Sequence, residues 1–338
     1  MERVSFVIPV LNEQEVLPEL YRRLDAVAGQ IEAECEFIFV DDGSSDRTRE
    51  VLSELRGSDE RVKLLLLARN FGHQLALTAG LDFATGDAIV IIDGDLQDPP
   101  EAALEMIPLW REGYEVVHAV RRHRAGESRM KLWTARVYYR LMHRLSDVEF
   151  PVDTGDFRLV DRRVADIVRR MREPDRYLRG MFAWVGFRQT SITYDRDKRF
   201  AGKTKNTWRR MISFAIDGIL GFSVAPLRII LSIGFVISAL SLAVGVTAII
   251  LKLAGGLPPV QGWASLIVLV TFLAGIQLIV LGTIGLYVAK AYEQGKHRPL
   301  YLVASAEGLR AGPSGPLPED GVLRAERQPA ESRLDPSQ

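Results

Sequence analysis

The chain has 338 residues, with 43 basic and 43 acidic side chains and so no formal net charge. That length accommodates one sizeable globular domain and an attachment, and the balanced charge points to no class of partner. The single cysteine, Cys35, excludes an intrachain disulfide and reads as a small apolar residue inside a strand. Met1 to Val10 is too short for a signal peptide and runs straight into a motif.

VSFVIPV (4–10) reads as a first strand, followed by helical spacing at Val16, Leu20, Leu24 and Val27. EFIFVDD (36–42) is a second strand; Ser45 or Asp46 then caps a helix through Leu55. VKLLLLA (62–68) is a third strand and HQLALTAGLDFA a third helix. DAIVIID (87–93) is a fourth strand, a helix runs from Pro100 to about Arg111, and YEVVHAV is a fifth strand. Strands alternating with helices predict a mostly parallel, doubly wound α/β sheet, with ligands bound at the carboxyl ends of its strands.

Residues 229–251 and 263–289 are two uncharged apolar runs. The first spans about 34 Å as a helix, enough to cross a bilayer. KLAGGLPPVQG between them reads as a hairpin loop. Arg209, Arg210 and Arg228 precede the first run and Lys290, Lys296 and Arg298 follow the second, whereas the loop has only Lys252. That bias predicts a two-span inner (plasma) membrane protein with both termini cytoplasmic. Residues 291–338 are expected to be a largely disordered tail, Pro- and Gly-rich from about 304.

The residues with chemical potential gather at the predicted strand ends: Asn12 and Glu13, Asp41 and Asp42, Arg69 and Asn70, Asp93 and Asp95. Turns favour Asp and Asn on conformational grounds alone, but four such coincidences on one rim favour a site. In IDGDLQDPP (92–100), two carboxylates one residue apart offer hard oxygen ligands for Mg²⁺ or Mn²⁺, completed by substrate phosphates. No His/Cys grouping has zinc spacing.

Taken together, IPVLNE (8–13), VDDGSSD (40–46), RNFGHQLAL (69–77), DGDLQDPP (93–100), DTGDFRL (153–159) and the R-x-x-G-K-T-K run (199–205) resemble family 2 glycosyltransferases of the polyprenyl-phosphate group. The resemblance covers roughly residues 4–290. It implies a GT-A fold over residues 1–225, a divalent metal, inversion at the anomeric carbon, and transfer from a nucleotide sugar, best taken as UDP-glucose, to undecaprenyl phosphate. It also implies a homo-oligomer such as a tetramer. By it Pro9, Asn12, Glu13, Asp41, Asp42 and Gly94 belong to the nucleotide site, Asp93 and Asp95 flank the metal, Gln97 faces the diphosphate, and Asp156, with Asp93 and Asp95 a catalytic candidate, faces the acceptor and either orients its phosphate or acts as base. A turn beside Gly155 is the structural alternative for Asp156.

A phosphate monoester, with its second pKa near about 6, is largely dianionic at neutral pH and needs positioning more than a base. Arg121, Arg124, Arg129, Lys131, Arg136, Arg158, Arg199, Lys203 and Lys205 are the candidates for holding it. Apolar stripes near 128–145 and 206–222 predict amphipathic helices lying on the bilayer or packing on the sheet. Among alternatives, a processive polysaccharide synthase is disfavoured because two helices cannot line a polymer pore. A dolichol-phosphate-mannose-synthase-like transferase using GDP-mannose, or a non-catalytic nucleotide-sugar-binding scaffold, remains as a second reading. Nucleic acid has only the basic run behind it, beside apolar spans that favour a lipid phosphate.

Overall fold

The computed structural model describes residues 2–122, 154–174, 176–195, 225–254 and 263–309. The chain divides into two compact units, one of Met1–Ala135, Val148–Lys205 and Arg298–Gln338, the other of Arg136–Asp147 and Asn206–His297.

In the first unit the alternation predicted from sequence is realised as β1 (Arg3–Val10), α1 (Leu17–Ala28), β2 (Glu34–Asp41), α2 (Thr48–Ser58), β3 (Val62–Leu67), α3 (His73–Phe83), β4 (Ala88–Ile91), α4 (Ala103–Arg111) and β5 (Val116–Arg121). Leu17, Leu20, Leu24 and Val27 form the buried stripe of α1. Arg47 occupies the cap position of α2, and Asp46 accepts the Thr48 N–H at 3.0 Å.

Four elements go beyond the sequence reading: β6 (Thr154–Asp161), α5 (Arg162–Arg170), α6 (Leu178–Trp184) and β7 (Gln189–Tyr194). Together with β8 (Val303–Glu307) they complete an eight-stranded sheet in the order β7-β5-β6-β4-β1-β2-β3-β8. The pairs β1/β2, β1/β4, β2/β3 and β5/β7 are parallel, whereas β6 is antiparallel to both its neighbours and β8 antiparallel to β3. The fold is therefore a GT-A-like α/β fold with a mixed, mostly parallel sheet.

Phe6, Ile8, Phe37, Phe39, Leu64 and Val90 have no exposed surface and share one hydrophobic cluster with the buried stripe of α1. Burial of each such side chain contributes roughly 1.5–3 kcal/mol. Helix α3 lies so close to the sheet that a Cβ on Gly80 would sit 2.3 Å from Val7 Cγ1. Only glycine permits that approach.

These directions bring the carboxyl ends of β1 to β5 and β7 to one rim, and the antiparallel β6 delivers its amino end there. The turn alternative for Asp156 is set aside: the residue lies in a strand, with Phe157, Leu159 and Val160 fully buried along it.

Within residues 291–338, expected from sequence to be a largely disordered tail, one segment is ordered against the sheet. Residues 303–307 form β8 on the exposed edge of β3, the Ala68 N–H donates to Leu302 O at 2.9 Å, and the Tyr301 hydroxyl donates to Asp82 on α3 at 2.7 Å. Covering an edge strand satisfies backbone groups that composition alone cannot assign.

The second unit holds α7 (Ala225–Leu253, 29 residues) and α8 (Trp263–Gly295, 33 residues). Within α8 the stretch Phe272–Gly295 is long and apolar enough to cross a membrane, while the apolar stretch Ile230–Val244 of α7 is shorter. Leu231, Phe235, Leu240, Phe272 and Leu278 are all exposed. Large apolar side chains presented in such numbers suit lipid rather than water.

Candidate active site

The loops after β1 and β2 are stitched together by short polar bonds. Asn12 takes a left-handed φ of 56°, its N–H donates to Ser44 Oγ at 2.9 Å, and its Oδ1 accepts the Ser45 N–H at 2.8 Å. The Glu13 N–H donates to Thr48 Oγ1 at 2.9 Å. Asp41, fully buried, accepts from Ser44 N–H at 2.9 Å and pairs with Arg49 at 2.6 Å. Asp42 accepts the N–H groups of Phe71 and Gly72 at 2.7 and 2.9 Å, and burial pushes its carboxyl up despite those bonds. Both carboxylates thus engage protein groups and shape the β2 and β3 loops.

Beyond β4 the chain turns sharply. Leu96 takes φ 56°, and Asp95 Oδ1 accepts the Gln97 N–H at 3.1 Å, closing the turn from within. Gly94 is required by proximity: a Cβ there would lie 2.7 Å from Val10 Cγ1 and 2.8 Å from Pro9 O. Pro9 and Gly94 therefore seat the acidic loop directly on the end of β1.

The centre of the site is a charge cluster joining β4, β6, α3 and α6. His73 Nε2 stands 3.3 Å from Asp93 Oδ1 and 3.2 Å from Asp156 Oδ2. Arg179 grips Asp156 with both ends of its guanidinium, Nε to Oδ1 at 2.9 Å and Nη2 to Oδ2 at 3.1 Å. Gln74 donates to Asp156 Oδ2 at 3.2 Å and accepts the Leu178 N–H at 3.0 Å, tying α3 to α6.

Burial raises the Asp156 carboxyl, but Arg179 and His73 overcome it and hold the group well below its ordinary value. Desolvation lowers His73, yet Asp93 and Asp156 push it up to about 9. Burial, with the Asp98, Asp156 and Asp95 carboxylates, pushes Asp93 up to about 6 against the pull of His73.

These donors fit a hard divalent cation. Asp93 Oδ1 is buried without a hydrogen bond, and although His73 stands 3.3 Å away, the Asp98, Asp156 and Asp95 carboxylates around it leave negative charge that a cation would relieve. Among the described residues no cluster of three or more His, Cys, Asp or Glu is arranged to hold an ion unaided. Mg²⁺ and Mn²⁺ sites of this type draw on one or two carboxylates and complete their shell with substrate phosphates.

Arg121 reaches the same rim from β5, its Nε donating to Tyr194 Oη at 3.1 Å. Arg158 does not. It is 1% exposed, donates to Asp156 O and Gly155 O at 3.2 and 2.8 Å, and stacks on Phe182 at 4.9 Å. The reading of Arg158 as an acceptor ligand is corrected: its place inside the sheet makes it a brace for the backbone that carries Asp156. Arg124, Arg129, Lys131, Arg136, Arg199, Lys203 and Lys205 lie outside the described residues, as do the amphipathic stretches near 128–145 and 206–222. Sequence reasoning missed His73 as a site residue. Its one signal was its position, directly after the third strand on the functional rim.

The profile described as "Glycosyl transferase family 2" matches residues 5–168. An uncharacterized glycosyltransferase, YkcC of Bacillus subtilis (strain 168), is 47% identical over 305 residues, covering 90% of this chain and 94% of that protein. The chain belongs to glycosyl transferase family 2. Another relative in this family, the bactoprenol glucosyl transferase of Shigella phage SfV, is 38% identical over 301 residues, covering 89% of this chain and 98% of its own length. Among solved structures, mannosyl-3-phosphoglycerate synthase from Rubrobacter xylanophilus aligns with a TM-score of 0.45 at 17% identity, covering 78% of each chain.

Proposed function

We propose that this family 2 protein is a membrane-bound hexosyltransferase that moves one glucosyl residue from UDP-glucose to undecaprenyl phosphate with inversion. The observation that carries the reading is the cluster in which His73 joins Asp93 and Asp156 at the strand-end rim, in a chain bearing an apolar helix of membrane-spanning length. The bactoprenol glucosyl transferase of phage SfV, similar along almost its whole length, supports a glucosyl group and a polyprenyl acceptor by its name.

In this reading Pro9, Asn12, Glu13, Asp41 and Asp42 frame the nucleotide, and Gly94 and Gln97 let the diphosphate approach the acidic loop. Asp93 and Asp95 would hold Mg²⁺ or Mn²⁺, which when bound supplies positive charge against the leaving diphosphate. Asp156, gripped by Arg179, Gln74 and His73, serves as a fixed anion that orients its neighbours rather than as a base. The acceptor phosphate, itself the nucleophile, is held by Arg121 together with the sequence-identified Arg124, Arg129, Lys131, Arg136, Arg199, Lys203 and Lys205. Two spans with cytoplasmic termini and a homo-oligomeric assembly complete the proposal, the spans supported by the basic residues flanking the apolar runs.

The test is to incubate membranes containing the full chain and undecaprenyl phosphate with radiolabelled UDP-glucose, UDP-galactose, UDP-N-acetylglucosamine and GDP-mannose. Label from UDP-glucose should enter the lipid fraction. Label from GDP-mannose alone would replace the donor assignment, and no lipid label from any of them would overturn the reading.

A further inference from the structure

Asp98 is a carboxylate with no exposed surface, in the loop that also carries Asp93 and Asp95. It accepts a short hydrogen bond from the Tyr194 hydroxyl and lies 3.6 Å from Arg121 Nη2, while Arg121 Nε donates to the same Tyr194 oxygen at 3.1 Å. Arg121 ends β5 and Tyr194 ends β7; these strands are parallel neighbours and the two residues are Cα partners in register. The Tyr194 ring is set edge-on against Phe157 at 5.6 Å, so its hydroxyl is held in one direction.

A buried carboxylate is costly to desolvate, and apolar side chains of equal volume would hold three strand ends together at least as well. Geometry is the better account. In sequence, the segment bearing Arg124, Arg129 and Lys131 begins just after Arg121, and the one bearing Arg199, Lys203 and Lys205 just after Tyr194. Arg121, the acceptor-phosphate candidate among the described residues, is itself fastened to the donor loop.

We infer that Asp98 is a positioning residue for acceptor use: together with Tyr194 it holds Arg121, the acceptor-phosphate candidate at the end of β5, against the loop that receives the donor diphosphate. The inference rests on the functional reading above. It differs from a purely structural role because loosening the fastening should spoil the placing of the second substrate while leaving the first bound as before.

The experiment uses the full chain in detergent, with UDP-glucose and undecaprenyl phosphate, and compares wild type with Tyr194→Phe and Asp98→Asn. Tyr194→Phe deletes one hydroxyl and Asp98→Asn keeps the shape while removing the charge, so at least one is expected to fold. The expected result is a rise of about tenfold or more in acceptor KM in each folded variant, the size expected from losing a charged hydrogen bond. UDP affinity, measured by calorimetry with Mn²⁺, should stay within about twofold in Tyr194→Phe, which leaves the Asp98 charge beside Asp93 in place. Acceptor KM equal to wild type in a folded variant, or donor affinity and acceptor KM worsening in parallel in Tyr194→Phe, would overturn the inference. If wild type itself fails to label the lipid, the functional reading falls and takes the inference with it; if wild type labels it and the variants match wild type, only the inference falls.

Discussion

Replacing Arg179 with alanine removes the bidentate partner of Asp156, whose side chain is only 6% exposed. Taking away one member of a fully buried ion pair costs about 3–5 kcal/mol. The Arg179 side chain is 34% exposed, so solvent screening trims the figure to roughly 2–3 kcal/mol. For a unit of this size that corresponds to a fall in Tm of roughly 5–10 °C.

The assay is thermal unfolding of the full chain in micelles at pH 7, in a cycle of wild type, Arg179→Ala, Asp156→Asn and the double variant. The cycle should return a coupling of about 2 kcal/mol, because neutralising Asp156 removes the charge that Arg179 was compensating. The sign with pH follows from the depressed carboxyl. The contribution is complete above the ordinary value of 3.8 and is lost as pH falls through the lower folded value. In the Arg179→Ala chain, burial acts on Asp156 with less opposition and the carboxyl protonates at higher pH, so the gap from wild type narrows in acid. A coupling below about 0.5 kcal/mol would refute the argument that Arg179 is what keeps Asp156 charged.

Further expectations concern the interior and the sheet edge. His118 is 3% exposed, donates from Nε2 to Gln189 at 2.8 Å, and is pushed down to about 4 by burial and by Arg158. Because the unfolded chain takes up this proton and the folded chain resists it, stability should fall as pH drops from about 6.5 towards 4, and His118→Gln should flatten that part of the Tm–pH profile; an unchanged profile would contradict the assignment. Deleting residues 298–338 strips β8 from β3 and the Tyr301 hydroxyl from Asp82, so Tm should fall and protease cleavage in the first unit should quicken; identical Tm and cleavage would show that the strand adds nothing.

The first five strands were legible because each is a short apolar run punctuated by Asp, Asn or Gly, and the acidic pair after β4 was legible because strand direction alone puts it on the ligand rim. Strand β6 was hidden by its own composition. TGDFRLVD interleaves charge with apolar residues, and its antiparallel insertion between β4 and β5 depends on partners far away in sequence. The same distance hid His73, which meets Asp156 across 83 positions. Arg158 misled for a related reason: arginine beside a candidate site looks like a phosphate ligand until the strand that carries it proves to be central. Segment 303–307 has too little apolar character to announce a strand, and the edge of β3 supplies what it lacks.

The most direct measurement is transfer of labelled glucose from UDP-glucose to undecaprenyl phosphate by the wild-type chain and by the Asp93→Asn/Asp95→Asn double variant, each with EDTA and after Mn²⁺ is restored. The account predicts that EDTA abolishes lipid labelling by wild type, that Mn²⁺ restores it, and that the double variant stays inactive in both conditions. Full-rate labelling in EDTA, or by the double variant, would contradict it.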